Sequence, residues 1–194
     1  RKLFLLLTLF AVGSLSAQGN GDYVNMSFIK TTPGEDYFTI LNEKWKDLAQ
    51  MRANDGTITG WDVWVNPWAT SESDWNIMIA TVAKHPDSLN ANAGVPKMRP
   101  DYSDMDVEIF SQKNIKARTI VHDHLFVTKG LVFPGNDGGT PVVPRVAVLN
   151  LMKVGYTDGF NYEKGENNLT SEASLGNRAG WGLLKRLDQA GTDV

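Results

Sequence analysis

The chain reads as an α+β protein in which a β-α-β pattern occurs twice, and three observations carry that reading. A short apolar run ending in lysine occurs at Tyr23-Lys30 and again at Val146-Lys153. A turn follows each run, and thirteen residues after each lysine comes a glutamate, Glu43 and Glu166. Each copy then reaches a Gly-Trp pair, Gly60-Trp61 and Gly180-Trp181, with three fewer residues in the second. Ordered matches of this kind are the mark of an internal repeat.

In the first copy, residues 23–30 have the length and composition of a strand. Pro33-Gly34 breaks it, and Glu35-Asp36 place acidic groups where a helix start favours them. Tyr37, Phe38, Leu41, Trp45, Leu48 and Met51 then recur at three- and four-residue intervals. That spacing predicts one amphipathic helix running to about Ala53, ended by Asn54-Asp55-Gly56. Residues 58–66 predict a second strand stopped by Pro67, and 75–83 a third. Residues 85–100 are rich in Pro, Asn and Gly and predict a loop. A second helix is expected over 103–116 and a fourth strand over 119–128.

The order β-α-β, β-α-β is the split βαβ, or ferredoxin-like, plan. The Lys-ended first strand, the Pro-Gly turn, the helix segment Asn42-Glu43-Lys44-Trp45-Lys46 and Gly60-Trp61-Asp62-Val63-Trp64 carry a resemblance. The chain resembles secreted bacterial members of the dimeric α/β-barrel superfamily in a single-chain tandem form. The resemblance implies two ferredoxin-like modules forming a pseudo-dimer, with ligand pockets between their sheets. The expected organisation is a signal peptide over 1–17, a first module over 22–128, a linker over 129–144 and a second module over 145–194. Gly159, Gly165 and Gly176 shorten the helix expected in the second module, which stops at Val194 after its second strand. With Arg1 in place of an initiator Met, this is the expectation for an incomplete reading frame.

Arg1-Lys2, the apolar run Leu3-Val12 and the small residues Gly13-Ser14-Leu15-Ser16-Ala17 form the tripartite pattern of a secretory signal peptide. The apolar run is too short to cross a bilayer, which needs roughly 20 such residues. The expected product is secreted or periplasmic, with no membrane attachment after cleavage. The whole chain carries a net charge of −3; without Arg1 and Lys2, 17 basic side chains face 22 acidic ones. No basic excess exists to neutralise a phosphate backbone, so a nucleic-acid partner is not expected. The absence of cysteine excludes disulfides, thiol nucleophiles and Cys-based zinc sites. Asn25-Met26-Ser27 and Asn168-Leu169-Thr170 match the glycosylation pattern, which matters only in a eukaryotic secretory pathway.

Strand alternation selects the candidate site. Val24, Met26 and Phe28 align with Ala147, Leu149 and Leu151 and are expected against the helices. Tyr23, Asn25 and Ser27, with Val148 and Asn150, are then expected to face the space between sheets. Asn25, Ser27 and Asn150 need partners there, which a ligand, water or each other can supply. Trp61 and Trp181 share a repeat position, which argues for core packing. Trp64 and Asn66 have the opposite parity to Trp61, and on the barrel side they line a cavity suited to a flat apolar or sugar-like ligand. His122-Asp123-His124 puts two imidazoles on one face about 7 Å apart. They are candidates for proton transfer, or for two ligands of a metal whose third ligand, Asp106 or Glu108, nothing places nearby. Asn25, Trp75 and His85 resemble the Asn, Trp, His set of haem-degrading monooxygenases in the superfamily. The resemblance departs where His85-Pro86 reads as loop, since that family carries its His on a helix.

No phosphate loop, nucleophile elbow or His-Glu-x-x-His is present, and no cofactor or metal is implied. The leading expectation is an exported protein that binds a small organic molecule or a partner between two sheets. Two others stay open. One is a cofactor-independent monooxygenase or isomerase acting on an aromatic or quinone-like substrate, oriented by Asn25 or Ser27. The other is assembly into a homo-oligomer through an unpaired sheet edge.

Overall fold

A computed structural model describes residues 21–89, 102–132, 146–149 and 181–187. The elements run β1 (Tyr23–Thr31), a helix in three segments, β2 (Gly60–Val65), β3 (Ile77–Ala83), α3 (Asp104–Ala117), β4 (Arg118–Val132) and β5 (Trp181–Arg186). The segmented helix comprises α1 (Tyr37–Ile40), a π-helical turn (Leu41–Trp45) and α2 (Lys46–Asn54). One five-stranded sheet results, in the order β2-β3-β1-β4-β5, with every neighbouring pair antiparallel. The fold is α+β and compatible with the ferredoxin-like plan, with β1 in the middle and β5 added outside β4. Among the described residues no helix is long and apolar enough to cross a membrane.

Local chemistry accounts for the element boundaries. Thr32-Pro33-Gly34-Glu35 closes a turn through the Glu35 amide and the Thr32 carbonyl at 3.1 Å, with Gly34 at φ +86°. Pro at the second position and a positive-φ Gly at the third are the requirements of a type II turn. Asp36 then caps the first helix by accepting from the Thr39 amide at 3.0 Å. Ser103 and Asp106 form a reciprocal capping box at the start of α3. Trp45 donates its indole N–H to Asn114 at 2.9 Å, which ties the first helix to α3.

The core falls into two clusters, one on each face of the sheet. On one side Ile29, Ile77 and Trp61 pack with Tyr37, Leu41 and Ala49 of the helix. On the other, Val24, Met26, Phe28, Met78, Ala80, Val82 and Phe126 pack together with Trp64, Trp75 and Leu184, and none of these is helical. This second face is called the open face below. The alternation along the first strand is therefore real, but its assignment to layers is reversed. Val24, Met26 and Phe28 lie away from the helices, while Asn25, Ser27 and Ile29 share the helix-side face with Trp61. The physical reason is that β3, Ile-Met-Ile-Ala-Thr-Val-Ala, is apolar on both faces. Apolar residues on one side of β1 could then match either layer.

The helix stripe also differs from its expected form. Tyr37, Leu41 and Leu48 are buried, whereas Phe38 and Met51 are exposed. The π turn inserts an extra residue, which rotates the following segment and brings in Ala49 and Arg52 instead. Of the residues expected to form a second module, Trp181–Arg186 form the strand β5. Residues 146–149 carry no strand and are exposed, and the rest of its first strand lies outside the described residues. So do residues 1–17, expected to be a signal peptide, the helix expected after Asp158, and the expected linker beyond the first residues that β4 absorbs.

Core and polar positions should respond differently to truncation. Ile77 is 0% exposed, so Ile77→Ala should cost about 2–5 kcal/mol in urea unfolding. The Tyr37 hydroxyl is buried with no partner, and burial pushes its pKa up to about 12. Tyr37→Phe should therefore be neutral or stabilising by about 1 kcal/mol, and a loss comparable to that of Ile77→Ala would contradict this packing.

Candidate functional site

The polar residues expected to share one cavity divide between the two faces of the sheet. Asn25 and Ser27 lie on the helix-side face of β1, where both donate to Asp123 Oδ1 of β4, at 3.0 and 2.6 Å. Ser27 also lies 3.2 Å from Asn25 Oδ1. This network gives each of the three side chains a protein partner. Tyr23 pairs in register with Ala83 and Val127 and has the same parity. Asn66 belongs to the turn after β2, its side chain accepting from the Trp68 amide at 3.1 Å. Asn150 lies outside the described residues.

His122 and His124 point the other way, onto the open face. The register pairs them with Phe28 and Met26, and the bulge at Val121 restores Ile120 to the helix side opposite Ile29. Asp123 lies between the two histidines in sequence but on the opposite face. No Ser-His-Asp relay can therefore form from these residues. Asn25 is likewise separated from both histidines by the thickness of the sheet, so the proposed partnership of Asn25 with a proton-transferring His lacks a common surface. The Asn25, Trp75, His85 set is not assembled either, because Asn25 and Trp75 meet opposite faces and His85 is exposed before the 3-10 turn Pro86–Leu89.

The open face does assemble a row of rings. Trp75 meets Phe28 edge-on at 5.1 Å between centroids. Phe28 lies 6.4 Å from His122 and 6.0 Å from His124. The two imidazoles stack at 5.7 Å with planes 16° apart, and His124 meets Phe126 edge-on at 6.3 Å. Arg186 of β5 places Nη2 2.7 Å from His124 Nδ1. A guanidinium has only donors, so Nδ1 accepts in this contact and the ring N–H is on Nε2. Arg186 joins the row because β5 pairs with β4, and Trp75 meets Phe28 because β3 pairs with β1; neither long-range pairing leaves a local sign in the sequence. Among the described residues no group of three or more His, Cys, Asp or Glu could hold a metal ion. Asp106 serves the cap of α3 and Glu108 accepts from Gln112 at 2.7 Å, so neither joins the histidines.

Trp64 packs at the edge of the open-face cluster, as its parity required. Its strand neighbour Asp62 lies on the same face, opposite Ala80. Burial without a compensating partner pushes the Asp62 carboxyl from 3.8 up to about 6. The folded protein then holds this proton more tightly than the unfolded chain. The resulting stability is fully present below about pH 4 and is lost as pH rises through about 6. Asp62→Asn should raise the melting temperature above pH 7, by an amount equivalent to about 1–3 kcal/mol, and leave it nearly unchanged at pH 4. Parallel pH profiles for the two proteins would contradict this environment for Asp62. Comparison with protein-family models, with curated proteins and with solved structures found no match to this chain.

Proposed function

We propose that the protein is an exported binding protein that holds a small planar organic molecule on the open face of its sheet, under a second layer of structure. The observation that carries this reading is the row Trp75, Phe28, His122, His124 with Arg186 on a face that buries seven apolar side chains with no helical residue among the described ones. Stacked imidazoles and edge-on rings offer flat contact area, and the imidazole N–H groups offer donors to a ring-borne oxygen. Trp64 extends the same face toward β2.

The tandem reading supports the second layer. β5 begins at Trp181, the repeat counterpart of Trp61 in β2, and it pairs with the outer edge of β4. A repeated module whose β2 counterpart extends the first sheet is the arrangement by which two split βαβ units can close each other's edges. On this reading the ligand space lies between the two sheets, as in the dimeric α/β-barrel superfamily, and the signal peptide delivers the protein to the periplasm or outside the cell.

The test is titration of the full chain with flat aromatic carbonyl compounds, 1,4-naphthoquinone first, while following the imidazole carbon-bound protons of His122 and His124 by NMR. Saturable shifts at both rings are expected, stronger than with tetralin, which has a similar carbon frame and no carbonyl. His122→Ala should weaken binding without lowering the melting temperature, because His122 is exposed. Absence of any saturable shift across the panel would overturn the proposal.

A further inference from the structure

A second site lies on the helix side, where α3 ends and β4 begins. Arg118, the first residue of β4, is held from three directions. Its guanidinium carbon lies 5.5 Å from the centre of the Tyr37 ring and 6.0 Å from that of Trp45. Its Nε donates to Asn114 Oδ1 at 3.2 Å, the same oxygen that accepts from Trp45. Stacking and this shared acceptor fix the plane of the guanidinium before anything binds. Among the described residues no carboxylate pairs with Arg118, and its two Nη groups make no hydrogen bond. The nearby Lys116, two residues before it, pairs instead with Glu35 at 2.7 Å.

Arg118 lines a hollow of about 260 Å³ together with Asn114, Ile115 and Ile120. Ile115 and Ile120 are 65% and 47% exposed, an apolar wall beside an unpaired fork of donors. We infer that this hollow binds a small organic carboxylate, whose oxygens take the two Nη groups of Arg118 and whose short apolar chain lies on Ile115 and Ile120. A single cation in the lining matches one negative charge, and a planar fork matches a carboxylate. The hollow is smaller than the roughly 300–1,000 Å³ of pockets for drug-sized molecules, which limits the ligand to a short chain. This site is on the opposite face from the histidine row and does not depend on that row's function.

The experiment titrates the full chain with pentanoate, acetate, pentanamide and sulfate while following the Arg118 Nε–H and Trp45 Nε1–H signals by NMR. Pentanoate should shift both signals to saturation, and pentanamide should bind at least about tenfold more weakly. Arg118→Gln should reduce pentanoate affinity by a similar factor. Because Arg118 stacks on two core rings, Ile115→Ser provides a second variant that keeps the guanidinium in place. It should weaken pentanoate while leaving acetate unchanged. Equal binding of amide and acid, unchanged affinity in a folded Arg118→Gln protein, or sulfate binding as tightly as pentanoate would each overturn the inference.

Discussion

β3 carries apolar side chains on both faces, and so the sheet has to be covered twice. In β3 six of seven side chains are buried, and in β1 Phe28 and Ile29 are buried on opposite sides. A half-covered sheet would leave one of these sets in water, at a cost of roughly 25 cal/mol per Å² of apolar surface. The first helix covers only the side that contains Trp61, Ile77 and Ile29. The remaining set, from Val24 to Phe126, is nonetheless no more than 8% exposed. The carboxyl of Asp62 and the Arg186 contact to His124 sit at the margin of this buried set, and His122 is exposed beyond it.

The same constraint explains what the sequence made legible. Periodicity and turn chemistry located β1, β3 and the first helix to within a residue or two, because Pro33-Gly34, Asp36 and Asn54-Asp55-Gly56 act locally. Alternation also identified which residues share a face, so the separation of Trp64 from Trp61 was readable. It could not say which face meets the helices, since β3 offers apolar residues to both. The rotation caused by the π turn left no local sign, and it exchanged Met51 for Ala49 and Arg52 in the buried stripe. Long-range pairing was the least legible feature. Asp123 meets Asn25 and Ser27 from ninety-eight and ninety-six residues away, and Arg186 meets His124 only because β5 joins β4.

The polar groups of the sheet are consequently partitioned by chemistry. On the helix side, Asn25 and Ser27 both donate to Asp123 and so bond the two strands to each other. A few residues along β4, Arg118 has its plane fixed by two rings and one amide yet keeps donors uncommitted. On the open face, the histidines stack on each other and lie against Phe28, and His124 also meets Arg186. Preorganised rings and forks of this kind lower the cost of ordering on binding, which favours recognition of small rigid molecules.

Methionine oxidation gives the most direct test that the open face is an inner face. Met26 and Met78 lie on it, 7% and 8% exposed, whereas Met51 and Met105 lie on the helices, 37% and 73% exposed. Thioethers oxidise according to their accessibility. Under dilute peroxide, with the sites read by mass spectrometry, Met105 and Met51 should form sulfoxide first. Met26 and Met78 should remain protected until the protein unfolds. Oxidation of Met26 and Met78 at the rate of Met105 in the folded protein would show the open face to be bare, and would contradict the account of a covered, ligand-holding surface.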